Sequence, residues 1–515
     1  MNNDTMKIKL KIALALVVFV WTGFGCQAQN RPNIVIILAD DLGYGDVHCN
    51  NPEFGRIPTP NIDRLAGKGM RFTDGHSSSA VCSPSRYTLL TGRYHWRSRL
   101  QKGIVDMWEQ PLINEDRLTI AGLARQAGYR TAAIGKWHLG WDWPIAEEDR
   151  LHFTNIGPFE GVTSGDRMLR SPATEEDRQA WERTFAKPLG GGPTKVGFDT
   201  YFGTDVPNWP PFCFIENNRT VGIPTELLAG GQVAINQASF QGPALKEWDL
   251  KQILPVLTKR ATDFIAAHAR DKQPFLLYFS LTSPHTPLAV TDEWKNKSGL
   301  KNAYADFVVQ ADDVVGRVLA QLTASGVEDN TVVMFLSDNG CGAYIGVKEL
   351  AAQGHAVSGP FRGYKGDVWE GGHRTPFIIR YPGVTQPGSV CDELVLQADI
   401  MATLSEIFNT RLPDNAGEDS FSLLPLLKGS RKPIRESAIV CRWDGVQAIM
   451  YGHWKLIFTP EPELYNLASD VGETKNVAAE NPELVTKMLT MRKKMVADGR
   501  STPGSRQEND VEVKL

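Results

Sequence analysis

The chain has 515 residues, 42% of them hydrophobic and 22% charged, with 55 Lys and Arg against 59 Asp and Glu for a formal net charge of -4. That length exceeds what one hydrophobic core usually covers, so a large domain with at least one smaller companion is expected. The ordinary composition excludes disordered, collagen-like and coiled-coil chains, and the lack of any basic block argues against nucleic acid as a partner.

At the N-terminus, Lys7, Lys9 and Lys11 precede an apolar stretch over 12–24 and then Gly25-Cys26-Gln27-Ala28-Gln29. That order reads as a secretory signal peptide over 1–28, cleaved after Ala28 and too short to span a bilayer as a stable helix. A buried or membrane-anchoring N-terminal helix is one alternative. Another is a surface lipoprotein beginning at Cys26, although Phe24 fits poorly beside the small residues such a site needs. No other stretch is long and apolar enough to cross a bilayer, so the expectation is an exported, periplasmic protein with no transmembrane segment in the mature chain. The seven cysteines are scattered with no Cys-x-x-Cys pair, which removes zinc-ribbon and thioredoxin-like readings. Six remain after the signal, and their spacing shows no disulfide framework.

The mature chain opens on Asn33-Ile34-Val35-Ile36-Ile37-Leu38, a β-branched apolar run that stops at Ala39-Asp40-Asp41. Such a run reads as a strand buried on both faces, at the centre of a parallel sheet. A helical pattern over 119–127 ends at Gly128, and Thr131-Ala132-Ala133-Ile134 reads as the next strand. A helix over 255–268, the strand Pro274-Phe275-Leu276-Leu277-Tyr278-Phe279-Ser280, a helix over 303–324 and the strand Thr331-Val332-Val333-Met334-Phe335-Leu336 follow in order. The alternation predicts an α/β domain over 29–430, a mostly parallel sheet flanked by helices. In such folds ligands sit beyond the carboxyl ends of the strands, where the polar tips would converge.

The stretch 394–408 reads as one more helix, and 409–433 is rich in turn residues. Short strands at 438–440, 447–451 and 454–458 and a helix over 482–496 predict a small C-terminal α+β domain, 431–515, built on an antiparallel sheet. The polar tail from Arg500 is expected to fray.

Asp40 and Asp41 at one strand tip and Asp338 and Asn339 at another offer only oxygen ligands, which suit calcium or magnesium rather than zinc or copper. Either pair alone would more often cap a helix; together at one end of one sheet they favour a metal. Cys82 lies in His76-Ser77-Ser78-Ser79-Ala80-Val81-Cys82-Ser83-Pro84-Ser85-Arg86, with Pro84 placed for the first turn of a helix. A thiol at a helix N-terminus beside Arg86 is expected to have a lowered pKa and to be reactive. A buried structural cysteine is the equal alternative on local grounds. Lys136 and His138 follow the 131–134 strand and so fall at the same sheet edge as the carboxylates.

The string Cys-x-Pro-Ser-Arg followed by Leu90-Thr91-Gly92-Arg93 closely resembles the signature of the type I, formylglycine-dependent sulfatases, in the branch of arylsulfatase A and N-acetylgalactosamine-6-sulfatase. The resemblance runs from Pro32 to about Asn476. Its further motifs are Asp40-Asp41-Leu42-Gly43-Tyr44-Gly45-Asp46, Gly135-Lys136-Trp137-His138-Leu139-Gly140, Ser283-Pro284-His285, Ser337-Asp338-Asn339-Gly340 and Gly363-Tyr364-Lys365-Gly366. It implies an alkaline-phosphatase-like fold and sulfate ester hydrolysis on a sulfated saccharide. It also implies that Cys82 is converted to formylglycine by a formylglycine-generating or anaerobic sulfatase-maturing enzyme. Asp40, Asp41, Asp338, Asn339 and residue 82 would then hold one divalent cation, calcium before magnesium. Residue 82 would be the nucleophile as an aldehyde hydrate held by Arg86; Lys136, Lys365, His138 and His285 would cradle the sulfate. His285 or Lys365 would serve as general acid and His138 would take the last proton.

Asn208-Trp209-Pro210-Pro211, His373-Arg374 and Trp443-Asp444 are polar and aromatic groups on expected loops, suited to contacting a sugar. Two other readings compete. A phosphatase or phosphodiesterase on the same fold would need a Ser or Thr nucleophile and further Asp and His ligands, which are not found around these tips. A non-catalytic glycan-binding protein would be expected to have lost some of these site residues, and none is lost.

Overall fold

The computed structural model describes residues 31–153, 173–228 and 240–513. The signal-peptide reading and Cys26 lie outside them. Asn33–Leu515 forms one compact unit, and no helix among the described residues is long and apolar enough to cross a membrane.

Its spine is a ten-stranded sheet. Five parallel strands occupy the middle: β1 (Asn33–Asp40), β2 (Arg130–Lys136), β3 (Thr200–Thr204), β4 (Phe275–Pro284) and β5 (Thr331–Ser337). Their spatial order is β5-β1-β4-β2-β3. Beyond β5, the strand Phe377–Arg380 turns antiparallel.

The continuous apolar run in β1 follows from burial on both faces. Ile34, Ile36 and Leu38 join one apolar core, while Val35, Ile37 and Ala39 join another on the opposite face. Helices α1 (Pro60–Lys68), α2 (Ile253–His268) and α3 (Ala303–Ala324) cover the second core; Cys82–Thr91, Ile120–Gln126 and Asp399–Ile407 cover the first. A side-chain period of two thus places hydrophobic residues on both sides of one strand.

A separate four-stranded antiparallel sheet, Ser437–Cys441, Gln447–Tyr451, Trp454–Ile457 and Glu463–Asn466, packs its own core against the helix Pro482–Asp498. The last of these strands was not expected from the sequence. Two expectations need correction. The stretch 394–408 is a short strand, Val395–Leu396, followed by the helix Asp399–Ile407, because Asp399 accepts the Leu396 N–H and sets the helix start three residues on.

The tail from Arg500 is docked rather than frayed. Arg93 holds the Asp510 carboxylate at 3.0 Å, the Asp510 N–H donates to the Arg97 carbonyl at 2.8 Å, and Arg97 donates to Asn509 at 2.9 Å. Buried arginines left without these acceptors would be costly, which is why a polar tail stays ordered. The six described cysteines are all free.

Candidate active site

The carboxyl ends of β1, β2, β4 and β5 lie side by side, so Asp40-Asp41, Lys136, His285 and Asp338-Asn339 leave the sheet at one edge. The helix Cys82–Thr91 begins beside them, with Cys82 its first residue and Pro84 in its first turn. Backbone geometry at the tips is unusual. Asp41 has φ 64° and His138 φ 54°, left-handed values that cost non-glycine residues on the order of 1 kcal/mol or more. At Asp41 this turns the N–H toward Asp338 Oδ1, 3.1 Å away.

The side chains form one buried charged cluster. Lys136 Nζ lies 3.0 and 2.8 Å from the two Asp40 oxygens. Arg86 donates to Asp338 Oδ2 through Nε at 3.0 Å and Nη2 at 2.7 Å, to Asp40 at 3.2 Å and to the Lys136 carbonyl at 3.3 Å. Lys365 reaches Asp41 Oδ2 at 2.8 Å, and Asn339 Nδ2 reaches Asp41 Oδ1 at 2.8 Å. Cys82 Sγ sits 3.7 Å from Asp40 Oδ1 and 3.9 Å from Asp41 Oδ1, and His285 Nε2 is 3.6 Å from Asp41 Oδ2. All ten residues singled out from the sequence therefore meet or border one small space, His138 entering through its neighbours.

The charges follow from this packing. Burial pushes the Asp40 and Asp41 carboxyls up, but Lys136 and His285 for the first, and Lys365 and His285 for the second, outweigh it and hold both low. Asp338 is pushed up to about 6 by burial, with Arg86 pulling it down and Asp40 opposing. Burial disfavours the charged Lys365, yet Asp41 and Cys82 raise it well above the usual range.

The histidines are neutral. His285 falls to about 4 through burial and then Lys365. His138 falls well below its usual value through burial, Lys136 and Arg86. His138 Nε2 faces the Val105 carbonyl at 3.1 Å, so that nitrogen carries the proton. Its Nδ1 is then a buried lone pair with no partner. That is the atom that can accept a proton.

The expected low-pKa thiol is not found. Burial pushes Cys82 up to about 12, and Lys136 and Lys365 recover too little against Asp338 and Asp40. Arg86, which was expected to favour a thiolate, is occupied by Asp338 and Asp40. The encoded cysteine is a protonated, enclosed group.

A metal's fit can be judged from the donors. Potential ligand atoms of Asp40, Asp41, Cys82 and His285 all lie within 4.8 Å of one another. Asn339 Oδ1 is buried without a hydrogen-bond partner. The preponderance of carboxylate and amide oxygens matches a hard divalent cation.

A family model described as "Sulfatase" matches residues 32–410. The chain belongs to the sulfatase family. It is accordingly a sulfuric ester hydrolase, and a second model, "N-sulphoglucosamine sulphohydrolase, C-terminal", matches residues 364–499. The N-acetylgalactosamine-6-O-sulfatase of Bacteroides thetaiotaomicron is 31% identical over 90% of this chain and 92% of its own length. Human arylsulfatase A is 29% identical over 90% of this chain and 87% of its own. A solved structure described under the metabolism of multiple glycosaminoglycans by Bacteroides thetaiotaomicron superposes with a TM-score of 0.76 at 28% identity, covering 91% of this chain and 99% of that one.

Sequence reasoning missed two neighbours of this sulfatase site. Tyr344 donates its hydroxyl to Asp41 Oδ2 at 3.1 Å; nothing in Gly342-Ala343-Tyr344 announces it. Asp205 accepts the His138 N–H at 3.2 Å. It follows directly on β3, so the rule that found Asp40 and Asp338 would have found it too. Among the proposed sugar contacts, His373 and Arg374 fail. His373 is fully buried against His76 and Lys455, and Arg374 is tied to Asp74 and Glu370. Asn208 and Trp209 are also buried, with the Trp209 ring edge-on to His138 at 5.3 Å.

Proposed function

We propose that the chain is an exported, periplasmic sulfatase acting on a sulfated carbohydrate, with a 6-O-sulfated galactose or N-acetylgalactosamine unit as the first substrate to test. The observation that carries the reading is residue 82 at a helix start, 3.7 and 3.9 Å from two carboxylates and enclosed by Lys136, Arg86 and Lys365. The activity named for the Bacteroides relative supports the sugar and position. The basic, apolar and small-residue order of 1–28 supports export, with lipid attachment at Cys26 as the other route. The turn-rich stretch 409–433 supports a catalytic domain over 29–430 followed by a supporting domain over 431–515.

Asp40, Asp41, Asp338 and Asn339, with residue 82, would hold one divalent cation, calcium before magnesium, which when bound polarises the sulfate and offsets its charge. Formylglycine, made from Cys82 by a formylglycine-generating or anaerobic sulfatase-maturing enzyme, supplies as its hydrate one hydroxyl to attack sulfur and a second whose deprotonation releases sulfate.

The chain's own residues do the remaining work. Lys136 and Lys365 receive the anionic head, and Arg86 fixes Asp338 and Asp40 around residue 82. His138 Nδ1, the unpartnered lone pair, takes the proton from the second hydroxyl. His285 or Lys365, both beside Asp41 at the mouth of this space, donates to the leaving oxygen.

Two measurements on protein from the native host test this. The peptide bearing residue 82 should be about 18 Da lighter than its cysteine form, and sulfate should be released from a panel of sulfated saccharides. Unmodified Cys82 together with no release from any of them rejects the reading.

A further inference from the structure

The mouth of the sulfatase site carries an aromatic residue that the chemistry does not use. Trp443 is 58% exposed, at the turn between the strands Ser437–Cys441 and Gln447–Tyr451. A single exposed apolar side chain is ordinary on a protein surface; what sets Trp443 apart is its attachment to the loops of the site.

The turn is held rigidly. Arg442 clamps Asp444 through Nε at 2.8 Å and Nη2 at 2.7 Å, and the Arg442 N–H closes the turn on the Val446 carbonyl at 2.7 Å. Trp443 is tied on both sides to the site's own loops. Its N–H donates to the Gly366 carbonyl at 3.2 Å, and its carbonyl accepts the Gly103 N–H at 2.6 Å.

Gly366 has φ 92°, and a methyl group built on it would lie 3.6 Å from Trp443 Cδ1. The indole edge therefore lies beside the open face of the glycine that follows Lys365, whose ammonium is 2.8 Å from Asp41. Lys365 keeps 16% of its side chain exposed, so the cleft is reached from this side. Tyr344, with its hydroxyl on Asp41 and 49% exposed, borders the same opening. From the reacting centre outward the order is Asp41, Lys365, Gly366, Trp443.

We propose that Trp443 is the platform for the saccharide unit next to the sulfated one, so that the enzyme selects sulfated oligosaccharides over the free sulfated monosaccharide. This rests on the glycan sulfatase reading. A pyranose offers an apolar C–H face to an indole and hydroxyls to groups around it, and the Arg442–Asp444 pair beside the ring supplies both a donor and an acceptor. A platform whose backbone is pinned in advance loses little entropy on binding, which favours a stacking role over a fluctuating surface patch.

The test compares 6-O-sulfated N-acetylgalactosamine, free and at the end of a trisaccharide, in wild-type, Trp443→Ala and Trp443→Phe enzyme carrying formylglycine. The expected result is a roughly tenfold loss of kcat/KM for Trp443→Ala on the trisaccharide, carried by KM, with the monosaccharide unchanged. Trp443→Phe, which keeps a stacking face, should recover most of it. Equal losses on both substrates, no loss on the trisaccharide, or a wild-type enzyme indifferent to chain length overturns the platform and leaves the sulfatase reading standing. No sulfate release from either by the modified wild-type enzyme overturns the substrate reading and the platform with it.

Discussion

Among the buried charged clusters of the described residues, two invite comparison, one at the strand tips and one around Lys455 in the C-terminal sheet. In the second, Lys455 Nζ lies 3.0 Å from Glu370 Oε1, 2.8 Å from Glu473 Oε1 and 3.1 Å from His373 Nε2. His76 closes it, 3.0 Å from His373 and 2.9 Å from Asp74. Burial lowers His76 to about 4 and holds His373 well below its usual value, so both are neutral there too. Composition does not separate the clusters, since each gathers buried carboxylates, histidines and lysine. What separates them is closure. In the Lys455 cluster the lysine occupies the place a cation would take and touches both glutamates. Glu370 Oε2 and Glu473 Oε1 lack a well-aligned hydrogen bond but each lies 2.8 Å from a cation, Arg374 and Lys455, whereas at the strand tips His138 Nδ1 and Asn339 Oδ1 are left unpartnered around a thiol. A closed cluster holds two layers together, and an open one is ready to receive a substrate.

Breaking each cluster should therefore damage different properties. His138→Gln replaces the imidazole with an amide too weakly basic to take a proton and is expected to cut kcat by about 10²–10⁴, with a sulfated residue 82 accumulating in the mass spectrum and thermal stability close to wild type. Normal turnover in this variant would remove His138 from the mechanism. Lys455→Met should leave Glu473 buried without its cation and Glu370 with Arg374 alone, costing about 3–5 kcal/mol and lowering the melting temperature. Adding Glu473→Gln should recover part of that loss, because the two positions act as one unit. Thermal melts of the single and double variants check this. Additive losses would mean that the cluster is not closed in the way its distances indicate.

The strand-tip cluster was legible in the sequence because each of its carboxylates follows an apolar run that can only be a buried strand, as at Ile37-Leu38-Ala39-Asp40. A change from apolar to charged within one residue marks both the end of a strand and the edge of the sheet. The Lys455 cluster left no such mark. His373 and Arg374 looked like polar loop residues because their partners Lys455, Asp74 and His76 are distant in the chain, and only long-range pairing buries them. The docked tail hides for the same reason, its order coming from Arg93 and Arg97 some 400 residues away. Cys82 misled on energy rather than position. A helix start and an arginine predict a thiolate, but full enclosure among three carboxylates outweighs both.

Asp205 sharpens the contrast most finely, since it borders the open cluster yet its carboxylate accepts from a backbone N–H rather than from a cation. It accepts the His138 N–H at 3.2 Å, and burial pushes its carboxyl up to about 6, with that hydrogen bond and Lys136 pulling the other way. A carboxyl raised above its unfolded value of about 3.9 binds its proton earlier in the folded state than in the unfolded one. Stability from this group is therefore fully present below about pH 4, declines as pH rises through about 6, and stays lower above it. The full shift would correspond to about 3 kcal/mol, and the residue's partial exposure trims that to about 1–2 kcal/mol. Asp205→Asn keeps an oxygen for the His138 N–H but cannot ionise. Melting temperatures between pH 4 and pH 8 should thus match wild type at the acid end and exceed it at the alkaline end, with kcat at neutral pH within a few-fold. Parallel melting curves would show that Asp205 is already neutralised by Lys136, and that the open cluster is as well compensated at its margin as the closed one is at its centre.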